Sequence, residues 1–442
     1  MLYMHRMDAL ARDISADSLL DDIQRRSFDY FADAVNPRNG LVADSTRPGA
    51  PCSIAALGLA LSLWPVAVER GWLGREEARR RTLAALRLLW RGRQGPEPDA
   101  SGHKGFFYHF LDMETGRRAW KSELSTIDTA LLMAGVLAAG QYFGHDDAGD
   151  AEIRGLADAL YRRVDWRWAL NGGATFSHGW RPKRGFLRFR WEGYNEALIL
   201  YILGLGSPTF PIPPESYHAW LSSLRWRRVY GREMLHAGPL FVHQLSHIWV
   251  DFRDIRDAFM RARDFDYFQN SRAAAHLQRD YAIRNPKGFK AYGENCWGFS
   301  AGDGPGPARR VTGGVERRFH GYGARGVPYG PDDGTLSPWA AIASLPFAPD
   351  IVTPLARHVH HACGIAAERC RFTASFNPTW AGVDELDGGW VSPAMIGINQ
   401  GPVVLMIENH RSDFTWRLMR NCPAIVTGLR HAGFSGGWLQ GS

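Results

Sequence analysis

The chain has 442 residues, 45% of them hydrophobic, with a net charge of +7 from intermixed acids and bases. That is enough apolar sequence for a large core, and barrels of this length exceed the simple one-domain length prior. The basic clusters Arg79-Arg80-Arg81 and Arg225-Trp226-Arg227-Arg228 read as solvated helix faces without finger spacing or RNA-binding signature, so nucleic acid is excluded as a partner.

Helical periodicity dominates from the N-terminus onward. Apolar residues at i, i+3, i+4 spacing predict helices over Leu19–Ala34, Ser53–Glu69, Arg75–Trp90, Leu124–Tyr142, Ala151–Arg163, Glu192–Leu205 and Pro214–Val229. The series continues with Phe241–Val250, Asp254–Arg263, Tyr267–Arg284, Ser337–Ser344, Pro349–Cys363 and Gly401–Arg420. Strand signal is thin, with Gly105–Phe110 and Phe372–Phe376 the best segments. Glycines concentrate in Ala301–Pro307 and Gly313–Gly334, and a loop as long as the second is usually functional. A dozen or so paired amphipathic helices with no fixed repeat period predict an all-α fold, a single (α/α)6 barrel or toroid with long functional loops. The domain is expected to run over 17–442, after an N-terminal extension at 1–16.

Five scattered cysteines give neither a disulfide framework nor a CxxC pair. The first twenty residues lack a continuous apolar stretch, so no signal peptide is visible and a cytoplasmic location is expected; a different true start would allow the periplasm. No run reaches membrane-spanning length without charge, so membrane insertion is not expected.

The chemistry is signalled by Trp191-Glu192-Gly193-Tyr194-Asn195-Glu196-Ala197. Glu192 and Glu196 are four residues apart, which on a helix puts them on one face. Acids beside aromatic rings suit glycoside cleavage: one carboxyl protonates the leaving oxygen, and flat rings stack on sugars. The 17 Trp, 14 Tyr and 23 Phe agree with such a cleft. Further acids stand in polar-aromatic or glycine-rich segments: Glu294 in Tyr292–Gly298, Asp303 in Ala301–Pro305, Asp332 and Asp333 in Pro331–Thr335, and Glu123 and Asp128 in Ser122–Thr129. The competing readings are turn chemistry for the Asp-Gly pairs and N-capping for Ser122 and Ser125.

No metal or cofactor is expected. His243 and His247 share a helical face with Asp251 one turn on, but the Glu that a metalloprotease helix needs after its first His is absent. Asp146-Asp147-Ala148-Gly149-Asp150 matches a magnesium-binding DDxxD by letter yet reads as a loop, and Gly321–Gly326 matches GxGxxG without a strand before it or a helix after it.

Taken in order, the motifs resemble a known family. They include Cys52–Gly58, Glu123–Ala130, Gly193–Ala197, Leu205–Thr209, Gly238–Phe241, Asp251–Arg253, Trp297-Gly298, Asp332–Thr335, Ser344–Pro349 and Gln400-Gly401-Pro402 through Ile407-Glu408-Asn409. The series is similar to the glycoamylase-like domains of glycoside hydrolase family 144 and its relatives, among them the cyclisation domain of cyclic β-1,2-glucan synthases. The resemblance implies an (α/α)6 barrel acting on β-1,2-linked glucan, by endo-hydrolysis with inversion or, as in the synthase domain, by retaining transglycosylation. It implies Glu196 as the general acid and Asp128 as a cleft carboxylate. Two departures stand out. Relatives commonly read Ile-Asp-Gln-Gly-Pro where this chain has Ile398-Asn399-Gln400-Gly401-Pro402, and Asp-Ala-Phe-Asn where it has Ala374-Ser375-Phe376-Asn377.

An amide or a methyl cannot act as a base. Glu294, Asp303 and Asp333 are therefore the expected candidates for a second catalytic carboxylate. Glu123, Asp128, Trp191, Tyr194, Trp297, Asp332 and Asn399 are expected to bind substrate. The alternatives are a retaining transglycosylase and a glycan-binding protein without activity.

Overall fold

The computed structural model describes residues 15–364, 375–380 and 389–441. Residues 1–14, most of the expected N-terminal extension, and Phe372–Ala374 of the second expected strand lie outside it.

Two kinds of helix alternate along the chain. The outer kind is amphipathic: α1 (Ala16–Ala34), α3 (Arg75–Arg91), α5 (Ala148–Arg163), α7 (Pro214–Ser223), α9 (Tyr267–Arg284) and α11 (Pro349–Gly364), with the short α8 (Ala258–Arg261) preceding α9. In α3, for example, Ala78, Thr82, Ala85, Leu86 and Leu89 make the one buried stripe. The inner kind is apolar all round, as a helix enclosed by other helices must be. It comprises α2 (Ile54–Glu69), α4 (Thr126–Tyr142), α6 (Leu198–Gly206), α10 (Pro338–Ile342) and α12 (Gly397–Ser412). Every residue of α6 and α10 is buried, as is α2 through Ala67. The remaining inner segment is a pair of buried 3-10 turns, Leu240–His243 and Leu245–Ile248. Two C-terminal helices follow, α13 (Phe414–Arg420) and α14 (Pro423–His431), of which α14 packs on α6.

The six inner segments close a ring. α2 packs on α4 and α4 on α6. The Ser246 hydroxyl accepts from the Ile199 N–H of α6, Gln244 donates to the Ala340 carbonyl of α10, and α10 packs on α12, which returns to α2. This is the (α/α)6 toroid that the periodicity and the resemblance predict. The tightest joint is α2 against α4: a Cβ on Gly135 would lie 1.9 Å from the Gly58 carbonyl oxygen. No described helix is long and apolar enough to cross a membrane.

The helix expected over Asp254–Arg263 shortens to Ala258–Arg261 and the strand expected over Gly105–Phe110 splits into Phe106–Phe107 and Phe110–Leu111; four other expected elements differ for a local reason. The helix expected over Glu192–Leu205 starts only at Leu198, because Gly193 is left-handed (φ 72°) and the Asn195 side chain captures the Ala197 N–H. The helix expected over Phe241–Val250 is the pair of 3-10 turns, its Gln244 and Ser246 side chains being tethered to neighbouring segments. The helix expected over Pro214–Val229 stops at Ser223, and Trp226–Val229 pairs with Arg232–Leu235 across a turn whose central residues, Tyr230 and Gly231, both have positive φ. The helix expected over Gly401–Arg420 begins at Gly397 and breaks at left-handed Asp413. The long glycine-rich loop holds a hairpin as well, Ala308–Thr312 against Val315–Phe319.

Because the ring cannot widen at one joint alone, Gly135→Ala is expected to lower the apparent Tm and activity together. Overpacking of this kind costs about 1–3 kcal/mol or more; differential scanning fluorimetry checks it, with Gly155→Ala, at an exposed helical position with open space around it, as the neutral control.

Candidate active site

All inner helices present their N-terminal ends at the same mouth of the ring. A cavity of about 110 Å³ lies there, walled by Asp128 from the first turn of α4, Glu196 just before α6, Phe241, Trp339 from α10, Asn399 from α12 and Tyr322 from the glycine-rich loop. A larger cavity of about 520 Å³ opens at the opposite ends of α4 and α6, beside Gln141 and Ser207. Its acid, Asp158, is already paired with Arg162. The smaller cavity holds the chemistry.

Glu196 is fixed through its backbone, with Ser246 donating to its carbonyl at 3.1 Å. The preceding turn is anchored by Trp191, whose ring nitrogen donates to Thr126 at 3.0 Å, and by Tyr201, which donates to the Trp191 carbonyl at 2.9 Å. The Glu196 carboxyl is half-buried against the cavity and has no side-chain hydrogen-bond partner among the described residues. Burial pushes it up to about 7, opposed by a hydrogen bond from its own backbone N–H and aided by the negative charge of Asp128. Glu192 is not on a shared helical face with it: Glu192 accepts from Thr175 at 2.9 Å.

A cluster of charges flanks Glu196. Ser125 caps α4 and donates to the Asp128 carboxylate at 2.5 Å. His109 approaches Asp128 at 3.7 Å and bonds Glu123 at 3.1 Å. Burial alone would lower the imidazole, but Asp128, Glu123 and Asp44 raise it to about 9, so His109 is a cation at neutral pH. The His109 bond and Arg181 hold Glu123 down at about 2, against its burial. Asp303 pairs with Arg47 and accepts from Ser392. Asp44 is raised to about 6, by burial first and by Asp128 and Asp303 next, with His109 and Arg47 opposing. Tyr322 stands beside these acids, 62% exposed as a residue; burial around its hydroxyl and then the charges of Asp44, Asp303 and Asp128 push the phenol up to about 12.

Of the expected site residues, Glu196, Asp128 and Asn399 line the cavity, and Glu123 and Asp303 belong to the charge cluster beside it. Asn399 is buried and its amide nitrogen has no hydrogen-bond partner among the described residues, so it is available to a ligand oxygen.

The other expected residues have different surroundings. Glu294 is an exposed surface acid paired with Arg279. Asp333 is buried in a bidentate pair with Arg325 (2.7 and 2.9 Å), which holds it below the usual carboxylate range against its burial. Asp332 accepts from Tyr281 and Tyr292 at 2.7 and 2.6 Å and supports the loop. Trp297 is 1% exposed and Trp191, 8% exposed, stacks on His178, so neither offers a face to a sugar. Tyr194 packs on Tyr267 and His243 and bonds Asn270 and Ser271. Ala374 lies outside the described residues.

His243 and His247 are buried imidazoles, pushed down to about 3 chiefly by burial; His243 meets the Ala237 carbonyl and His247 meets Ser271. Asp251 is held by Arg253 and Arg420. In the DDxxD match, Asp147 caps α5 and Asp150 pairs with Arg75.

Sequence reasoning missed Asp44, Arg47, His109, Tyr322 and the exposed Trp120, whose ring meets Phe110 and through it His109. Tyr322 sits in Gly321-Tyr322-Gly323, where an aromatic between glycines was a usable signal; an isolated Asp44 gave none.

A family model named Glycoamylase and described as "Putative glucoamylase" matches residues 188–423. A crystal structure of a putative glucoamylase from Bacteroides uniformis is similar at 30% identity and a TM-score of 0.84, covering 97% of this chain and 99% of that one. The endo-β-1,2-glucanase of Chitinophaga pinensis, solved with sophorotriose and glucose, is 26% identical with a TM-score of 0.83, covering 96% and 100%. An exo β-1,2-glucooligosaccharide sophorohydrolase (non-reducing end) of Parabacteroides distasonis is 28% identical over 94% of this chain; the chain spans 57% of that relative's length.

The Arg325–Asp333 pair orders the loop that carries Tyr322, Arg325 also binding the Gly302, His320 and Gly321 carbonyls. Asp333→Ala, which strands a buried guanidinium, is expected to cost about 3–5 kcal/mol. Glu294→Gln is expected to leave both Tm and activity unchanged; thermal melts of the two variants side by side check the contrast.

Proposed function

The chain belongs to the glycoamylase family, and from that membership we propose that it is a glycoside hydrolase cleaving β-1,2-linked glucose chains at the N-terminal mouth of its helical ring. The observation that carries this reading is Glu196, a half-buried carboxyl with a midpoint at about 7, standing in the cleft beside Asp128 and an open aromatic face. Two relatives named for β-1,2-glucan or β-1,2-glucooligosaccharide hydrolysis support the linkage.

Glycosidic cleavage asks for a proton on the leaving oxygen as the C1–O bond lengthens and for stabilisation of an oxocarbenium-like centre. Glu196 donates that proton: held at about 7, it is largely protonated under mildly acidic to neutral conditions, where an ordinary glutamic acid would already be ionised. Asp128, on the cavity wall, faces the developing positive charge at C1. The unpartnered Asn399 amide and the Glu123–His109–Asp128 chain offer donors and acceptors for sugar hydroxyls. Tyr322 supplies the ring platform in place of Trp191, Tyr194 and Trp297.

Incubation with linear and cyclic β-1,2-glucan, alongside β-1,3- and β-1,4-glucan controls, tests the reading. New β-1,2-linked oligosaccharides from wild type are expected, with Glu196→Gln slower by about 10³-fold or more on natural glucan. Because Glu196 must carry its proton to act, kcat/KM is expected to fall as pH rises through about 7, and that basic limb should vanish in Glu196→Gln assayed on an aryl β-glucoside whose leaving group needs no acid. Products from none of the glucans would overturn the assignment.

A further inference from the structure

The cleft has an acid but no evident base. Asn399 presents an amide at the cavity wall. Asp128 is engaged by Ser125 and His109, Glu123 by His109 and Arg181, and Asp303 by Arg47 and Ser392. Asp44 is the exception. It is half-buried, and its carboxylate accepts no hydrogen bond from any described residue.

Its position is also tied to the cavity wall. The Asp44 N–H donates to the Pro51 carbonyl at 2.7 Å, and its carbonyl accepts from the Gly397 N–H at 2.8 Å. Ser45 bridges Ile396, and the Thr46 N–H donates to the Met395 carbonyl at 3.0 Å. The segment 44–46 is thus laced to 395–397, and the next two residues, Ile398 and Asn399, line the cavity. The backbone of Asp44 is therefore bonded two residues before the amide. Its field reaches Tyr322 at the cleft mouth.

We propose that Asp44 is the general base of this cleft, removing a proton from the water that attacks the anomeric carbon. This rests on the hydrolase reading above. In the step, the water oxygen forms a bond to C1 while the C1–O glycosidic bond breaks. The leaving oxygen takes the Glu196 proton, and the water's proton passes to Asp44, directly or across one bridging water. The anomeric centre inverts, and proton exchange with solvent resets both carboxyls.

The electrostatics suit the role. Asp44 is faced by Asp128 and Asp303, by cationic His109 and Arg47, and by the Tyr30, Cys52 and Tyr322 side chains, which stay protonated near neutrality. Burial and the two aspartates raise it to about 6, high enough to accept a proton and low enough to be ionised at neutral pH, while Glu196 at about 7 still holds one.

The test uses the full chain on linear β-1,2-glucan with wild type, Asp44→Asn, Asp44→Ala and Asp128→Ala, each checked by thermal melting. Asp44→Asn and Asp44→Ala are expected to lose about 10³-fold in kcat with KM changed only a few-fold, and Asp44→Asn to lose the acidic limb of the kcat/KM profile near pH 6. Sodium azide should restore turnover to Asp44→Ala and yield an α-glucosyl azide, the anionic nucleophile needing no base. A folded Asp44→Ala or Asp44→Asn that keeps more than about a tenth of wild-type kcat would overturn the proposal, as would azide rescue confined to Asp128→Ala or a β-azide product. If Asp44→Ala does not fold, the isosteric Asp44→Asn decides through kcat and the acidic limb. Wild type releasing no product would instead defeat the hydrolase reading, and this proposal with it.

Discussion

The structure depends on the common direction of its six inner segments. Strict alternation of outer and inner helices brings each inner N-terminus to the same mouth. Asp128, Glu196, Trp339 and Asn399, separated by up to 271 residues in sequence (399 − 128), therefore meet within one small cavity. The α2–α4 joint sets the radius of that mouth. Gly58 and Gly135 let two backbones touch, which no side chain would allow. The outer helices contribute apolar stripes to the core and leave the mouth to the loops.

Converging N-termini bring partial positive charge, which favours ionised carboxylates. Glu123 complies, its ionised form reinforced by His109 and Arg181, and Asp303 is paired with Arg47. Glu196 and Asp44 do not, because burial outweighs the local field and no side chain bonds either carboxyl. One cluster thus holds the strongly ionised Glu123 beside two acids raised toward neutrality, an arrangement that separates substrate-holding groups from proton-transferring ones. His109, raised to about 9, supplies the positive charge that lets so many acids share the space.

The helical pattern was legible because burial imposes it: Tyr267–Arg284 begins at Asp266, with a reciprocal Asp266–Gln269 cap, and ends at left-handed Asn285, as its sequence signals suggest. What escaped was structure fixed by long-range partners. The Gln244 and Ser246 tethers that convert an expected helix into 3-10 turns involve residues 96 and 50 positions away. The two hairpins hinge on Tyr230-Gly231 and Gly313-Gly314; the second was a readable turn signal between alternating residues. In the site, Glu196 could be found because its local sequence joins acid, glycine and aromatics. Glu294 has the same local look and lies on the surface, since nothing in seven residues tells that Arg279 waits outside. Trp191 and Trp297 were drawn in by composition, but the core claims large aromatics as readily as a cleft does.

Cleavage of the glycosidic bond at Glu196, within the cavity at the N-terminal mouth, is the step on which the proposed function turns. A crystal structure of Glu196→Gln soaked with a β-1,2-linked glucooligosaccharide tests it most directly. Cleavage there predicts a glycosidic oxygen within hydrogen-bond reach of the residue 196 side chain, about 3 Å, with a glucose ring against Tyr322. An oligosaccharide seated in the cavity beside Gln141 and Ser207, with the mouth unoccupied, would contradict it.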